Sequence, residues 1–417
     1  MKTKLISLII LALLISPEFI FSYPYDGYAI TGIKRLYRLE LIMAGALNGK
    51  LPSPGMMKPL KSVKLNLTGE KGVALSNIPI PDPELQKAIN SLFPNMDESY
   101  SIAILDITPG KKVRYARRQE TRGFMPGSVA KLAVMAGLFT ELKRLCPDSF
   151  EKRQELLKNR IVRGGKWSVY DSHTVPFFDP KTKNTFKRTI QEGDTFNLYE
   201  WADHMISASN NGAASVVWKE ALLMRAFGKS YPPTPQQEAD FFKNTPKAKL
   251  SELAVTVVNE PLQAIGISEE EFRLGSFFTN GAKNIIPGSG GSSASPYGLL
   301  TYLIAMEQGK IVDEQSSLEM KRLMFTSDRR IRYAGSSALA NAAVYFKSGS
   351  LYKCKPEEGY KCGKYMGNVD NFMNSVAIIE HDDGTIYMVA LMSNVLKKNS
   401  ANDHYALASQ IDRIIRK

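Results

Sequence analysis

The stretch Gly127-Ser128-Val129-Ala130-Lys131-Leu132-Ala133-Val134-Met135 opens an apolar run that continues to Leu145. The run is too long for a strand, and its Ala, Leu and Met content predicts a buried helix. In a helix, Ser128 and Lys131 lie one turn apart on the same face. Ser128 follows Gly127, which places it at the helix start, where the dipole favours a developing negative charge. Lysine takes a serine proton only when it is neutral. Its ordinary pKa is about 10.4, so the chemistry needs burial, a second cation nearby, or both. The spacing alone is common. Ser149-Phe150-Glu151-Lys152 repeats it in a charged stretch that reads as exposed surface.

The segments on either side set the fold. Ser101 to Ile107 is apolar-rich like a strand, Pro109-Gly110 makes a turn, and Val113 to Ala116 reads as the return strand. From about 150 to 330 the pattern is helical, near 198–207, 213–227, 296–308 and 314–325, with a glycine-rich loop from Gly281 to Ser295. Strand patterns return at 343–350, 374–380 and 386–394. His381-Asp382-Asp383-Gly384 forms the turn between the last two, and Ala401 to Arg416 is an amphipathic helix. The expected fold is α/β of the α+β kind. An antiparallel sheet is built from N- and C-terminal strands and flanked by helices, and an all-helical subdomain is inserted at about 150–330.

Two further motifs suit amide chemistry. Ser209-Asn210-Asn211 falls between two helices, where a serine hydroxyl can pass a proton to a leaving nitrogen. The Asn211 amide can hold both the substrate and Lys131. The blander reading is a helix cap at Asn210 or Asn211, and Ser400-Ala401-Asn402 matches the motif as well. Lys347-Ser348-Gly349-Ser350 lies on a strand-like stretch. There glycine admits close backbone approach, and lysine offers a cation for a carboxylate. The Ser350 amide together with that of Ser128 can form an oxyanion hole.

Taken in this order, the strand-turn-strand, the Ser-x-x-Lys helix, Ser-x-Asn, the Lys-Ser-Gly strand, the paired strands and the final helix resemble the penicillin-recognising serine hydrolases. These are the class A β-lactamases and the penicillin-binding D,D-peptidases. The resemblance covers about residues 100–417 and is nearest to class A. It implies that Ser128 is the acylated nucleophile, Lys131 its base and Ser209 the donor to the leaving group. Asn211 would orient substrate, Lys347 and Ser348 would bind the carboxylate beside Gly349, and Ser350 would supply an oxyanion amide. Asn210 and Ser348 depart mildly from the Ser-Asp-Asn and Lys-Thr-Gly of the family. One departure is larger. Class A enzymes carry a Glu-x-x-Leu-Asn loop whose glutamate activates the deacylating water, whereas Gly275 to Ser295 holds no Glu or Asp. Glu260-Pro261-Leu262-Gln263 is a superficial match in an apolar helix-like run. Glu269, Glu270 and Glu271 read as a solvated charge run.

The resemblance therefore implies hydrolysis of a β-lactam with deacylation in question. The alternatives are a D-alanyl-D-alanine carboxypeptidase acting on peptidoglycan, or a protein that binds β-lactam or cell wall without turnover. No cofactor is expected. The four histidines are scattered and there is no CxxC or HExxH, so no metal is expected either.

Lys2, Lys4 and the apolar Leu5 to Ile15 read as a signal peptide ending near residue 22. Export to the periplasm or outside the cell follows, with membrane attachment only if that segment stays uncleaved. Residues 23–95, with clustered Pro and Gly, read as an extension outside the main core, and 96–417 as the hydrolase domain. The net charge of +13 suits anionic partners such as cell-wall polymer. Nothing interleaves aromatic with basic residues as nucleic-acid binding requires. Cys354 and Cys362 flank a short polar loop and can pair in an oxidising compartment, while Cys146 reads as a buried free thiol.

Overall fold

The computed structural model describes residues 25–417 apart from 50, 170 and 326–329. The signal peptide expected from the sequence lies outside these residues. Ser101–Asp106 (β1) and Arg114–Arg118 (β2) form the expected hairpin. Three short ribbons follow in the insert. Ile161–Arg163 (β3) pairs with Thr195–Asn197 (β6), and Thr174–Phe178 (β4) with Thr185–Thr189 (β5). Phe272–Arg273 (β7) pairs with Ser293–Ala294 (β8). The long strands Ala343–Lys353 (β9), Asp370–Glu380 (β10) and Ile386–Asn394 (β11) complete the main sheet. Its order is β2-β1-β11-β10-β9, antiparallel throughout. Both ends of the chain thus build one sheet, in the α+β arrangement expected from the sequence.

The sheet is covered on both faces, which is why β1 reads as an unbroken apolar run rather than an alternating one. Ala103 and Leu105 face the helical side, together with Tyr345, Ile378 and Met388. Ile102 and Ile104 face the other side. There, Leu85 and Ile89 of the Pro83–Asn90 helix pack with Leu407, Ile411 and Ile415 of the Ala401–Arg416 helix. On the helical side, the Lys131–Leu145 helix packs against the Asn211–Phe227 and Lys247–Ala264 helices. Its N-terminus emerges at the seam between this insert and edge strand β9.

Two expectations are corrected. The insert is helical at its centre, but it also carries the three ribbons. Their strands are only two to five residues long, and β5 is largely exposed, so neither length nor alternation announced them. The extension is not an appendage either. Ile33, Leu36, Val63, Leu67 and Leu75 enter the main core. Lys34 pairs with Glu200 at 3.0 Å, and Arg35 holds Asp203 through two bonds of 2.6 Å. The Asn66 amide, part of the glycosylation-like Asn66-Leu67-Thr68, donates to Glu380 at 2.7 Å. The segment inserts single apolar residues at wide spacing, which leaves no periodic signal.

Cys354 and Cys362 are joined in a disulfide. Cys146 is half-buried rather than buried, at the C-terminal end of the Lys131–Leu145 helix. Among the described residues, no helix is long and apolar enough to cross a membrane.

Candidate active site

Ser128 lies in a 3-10 turn, Gly127–Ala130, directly ahead of the Lys131–Leu145 helix. In a 3-10 turn, residues three apart eclipse each other, and Lys131 Nζ reaches Ser128 Oγ at 2.9 Å. Two glycines let this turn press against β9. Gly127 has φ +54, and a Cβ there would stand 2.9 Å from Ser350 N. A Cβ on Gly349 would stand 2.4 Å from Pro126 O and 2.9 Å from Ser128 N. The Ser128 and Ser350 amides therefore flank one backbone contact, as a shared oxyanion site requires.

Lys131 is fully buried. Its Nζ also contacts Ser209 O at 2.6 Å and Asn211 Oδ1 at 2.8 Å. Burial pushes its pKa down to about 7, against the opposing pull of the Asp171 carboxylate. The three contacts suit a neutral amine. Its two N–H groups serve the two carbonyl-type oxygens, and its lone pair is left for the Ser128 hydroxyl proton. Ser209 sits in the left-handed region at φ +56, an uncommon place for a side-chain-bearing residue. That backbone turns its carbonyl to Lys131, while its hydroxyl accepts from Lys347 Nζ at 2.8 Å. Lys347, on β9, also donates to Ser348 O at 3.1 Å. Burial holds its pKa well below the usual lysine range, and the neighbouring Lys131 and Arg332 charges add to this.

The Ser209 motif contains both a cap and a functional group. Asn210 caps the Asn211–Phe227 helix by accepting from Ala213 N at 2.7 Å. Asn211 faces the lysine. The decoys play structural parts. Ser149 caps the Phe150–Asn159 helix, and Ser400 stands at the start of the last helix. Glu260 is no base for this site. It lies outside the cleft, paired with Arg144 and Arg225 at 2.7 Å each. Glu269 pairs with Arg273 at 3.0 Å.

Ser128, Ser209, Asn211, Lys347, Ser348, Gly349 and Ser350 all line one cleft of about 860 Å³. A model of the beta-lactamase enzyme family matches residues 84–417. The chain belongs to that family. No curated protein matches it. Among solved structures it is similar to a class A beta-lactamase from Bacteroides cellulosilyticus DSM 14838. The identity is 15%, covering 81% of this chain and 98% of that one, with a TM-score of 0.51. It is also similar to the TLA-3 extended-spectrum beta-lactamase, at 12% identity, 79% and 96% coverage and TM-score 0.52. PBP-A gives 14% identity, 81% and 97% coverage and TM-score 0.50. Identities this low speak for a shared fold.

In this beta-lactamase-family chain, five residues that motif reading passed over shape the site. Asp171 Oδ2 accepts from the Asn211 backbone N–H at 2.6 Å, and its Oδ1 from Asn211 Nδ2 at 3.2 Å. This sets the Asn211 amide with its oxygen toward Lys131. His173 Nδ1 lies 2.6 Å from the same Asp171 Oδ1, and these partners hold the Asp171 pKa below the usual carboxylate range despite its burial. Asn374 of β10 donates to Met125 O at 2.9 Å and Pro126 O at 3.0 Å, tying the Ser128 turn to the sheet. Arg332 donates to Gly349 O at 2.7 Å and Ser350 Oγ at 2.9 Å. Phe278, on the loop where the family glutamate was sought, places its ring 5.1 Å from Lys131 Nζ. None of the five carries a local sequence signal. Each is recruited across the fold.

Proposed function

We propose that this protein is an exported serine hydrolase that forms an acyl-enzyme on Ser128 with an amide lying beside a carboxylate, as in a β-lactam or a D-alanyl peptide. The observation that carries the reading is the Lys131 amine, buried and held between Ser128 Oγ, Ser209 O and Asn211 Oδ1. In this mechanism Lys347 and Ser348 receive the carboxylate. Lys131 takes the Ser128 proton as Oγ attacks the carbonyl carbon. The Ser128 and Ser350 amides stabilise the oxyanion. As the C–N bond breaks, Ser209 passes a proton to the nitrogen and is resupplied from Lys131. A pKa of about 7 for Lys131 suits both taking and returning that proton near neutral pH. The Cys354–Cys362 disulfide supports an oxidising, extracytoplasmic location.

Deacylation is the weak step. Among the described residues, no Asp or Glu lines the cleft, and the ring of Phe278, on the loop where the family glutamate was sought, lies 5.1 Å from Lys131 Nζ. These two facts favour a long-lived β-lactam adduct over efficient resistance-type turnover, which keeps a penicillin-binding or sensing role as the second reading. Mass spectrometry after penicillin treatment tests both readings. The expected result is one adduct on Ser128, persisting for hours with little released product. An unmodified Ser128 peptide, with coverage secured by a denatured control, removes the acyl-enzyme reading. Rapid loss of the adduct removes the slow-turnover reading.

A further inference from the structure

The cations of the cleft are poorly matched by the protein itself. Lys347 is buried and Arg332 half-buried, and burying a charge is costly unless it is paired. Lys347 donates to the Ser209 hydroxyl and the Ser348 carbonyl, and Arg332 to the Gly349 carbonyl and the Ser350 hydroxyl beside Tyr365, all of them uncharged oxygens or rings. No carboxylate among the described residues lies within ion-pair distance of either. In a chain with 41 acidic residues the described cleft lining holds none, while Lys283 and Lys364 stand exposed at its margin.

The Lys364 side is built rather than incidental. Arg332 Cζ lies 5.2 Å from the Tyr365 ring centroid, and Lys364 Nζ lies 5.2 Å from the same ring. A ladder of half-buried guanidinium, aromatic ring and exposed ammonium therefore runs from the carboxylate clamp to the cleft margin. Tyr352 braces the ring edge-on, with centroids 5.8 Å apart. The Cys354–Cys362 disulfide closes the preceding loop. Arg332 (φ +55) and Tyr365 (φ +60) both occupy the left-handed region, which is unfavourable for bulky side chains and concentrates at binding and catalytic sites. A fold that keeps two such residues in contact at a cleft is holding a specific shape there.

We propose that the cleft is built for an acyl donor with a second carboxylate, received by Lys364 over the Tyr365 ring, in addition to the one beside the scissile amide at Lys347. The substrate class is thus an acidic peptide, or a β-lactam bearing an acidic side chain. This rests on the acyl-serine reading above.

The test compares acylation of Ser128 by benzylpenicillin and by its α-carboxy derivative, which differ by one carboxylate. The expected result is acylation by both, with the dicarboxylate faster by roughly tenfold at low ionic strength. The advantage shrinks at about 0.5 M salt. In Lys364→Ala and Lys364→Glu the ratio between the two compounds falls toward one and below one. Lys364 is exposed, so these variants fold. A wild-type ratio at or below one overturns the proposal while leaving the acyl-serine reading intact, as does a ratio that both variants retain. An absence of adduct with either compound removes the acyl-serine reading, and the proposal with it.

Discussion

Two lysines of this protein are equally buried and chemically opposite. Lys131 meets a hydroxyl, a carbonyl and an amide oxygen, and its pKa falls to about 7. Lys321 meets Glu307 at 2.5 Å, Glu380 at 2.6 Å and the Lys64 carbonyl at 2.6 Å, and its pKa is raised despite the same burial. Burial alone therefore does not make a base. The partner type decides, because a carboxylate stabilises the ammonium that desolvation opposes, whereas a neutral oxygen offsets only part of the loss. One lysine is poised to release its proton at the seam of sheet and insert. The other is a fixed cation that clips residues 64–66 to the Pro296–Glu307 helix, the Glu314–Phe325 helix and β10.

The comparison breaks or sharpens in order of effect. Lys131→Met should cut the acylation rate by about two to four orders of magnitude while leaving the protein folded, since among the described residues no carboxylate lies within ion-pair distance of Lys131. Stopped-flow acylation with circular dichroism checks both. Lys321→Met should do the reverse. Stranding Glu307 and Glu380 should cost about 3–5 kcal/mol in urea unfolding, with the active-site chemistry retained in whatever remains native. Equal stability losses in the two variants would refute the contrast.

A third change addresses the second half of the cycle. Phe278→Glu puts a carboxylate beside Lys131 and should speed adduct hydrolysis by about a hundredfold, read as the decay of the Ser128 adduct. An unchanged decay would mean that this loop does not face the acyl carbonyl.

The pH response follows from the signs. Lys131 binds its proton less tightly in the native than in the unfolded state. Its contribution to stability is therefore least favourable below pH about 7, and it improves as pH rises toward the unfolded lysine value. Lys347 acts in the same sense. Lys321 has a raised pKa, so its contribution is present below the unfolded value and is lost as pH rises through the native one. Acylation should fall below pH about 7 as Lys131 protonates. Asp171→Asn removes a charge that holds the Lys131 proton, so this acid limb should move to lower pH, the smallest effect of the series. A limb that stays in place would reduce Asp171 to a purely structural part.

Most of the architecture was legible because the sheet is covered on both faces. Ile102 to Leu105 and the final strands read as continuous apolar runs, and Pro109-Gly110 and Asp383-Gly384 mark the turns. The short ribbons and the strap before residue 83 were not legible. Their stability comes from scattered contacts such as Arg35 with Asp203 and Asn66 with Glu380, and these leave no period in the sequence. Glu260 shows the converse, a superficial match set aside for its helix-like setting, which the Lys247–Ala264 helix bears out. Its carboxylate pairs with Arg144 and Arg225, away from the cleft.

The sequence by itself determined that Ser128 and Lys131 share one face at a helix start, because three-residue spacing and the apolar run after it put them one turn apart. It also determined the sheet built from both chain ends, because strand and turn signals are local. Only the tertiary structure decided the charge state of each lysine, the orientation of the Asn211 amide and the ring that faces the reacting amine. Desolvation, ion pairing and hydrogen bonding depend on groups brought together from distant parts of the chain, as Asp171, Asn211 and Phe278 are around Lys131, and no local pattern encodes such a meeting.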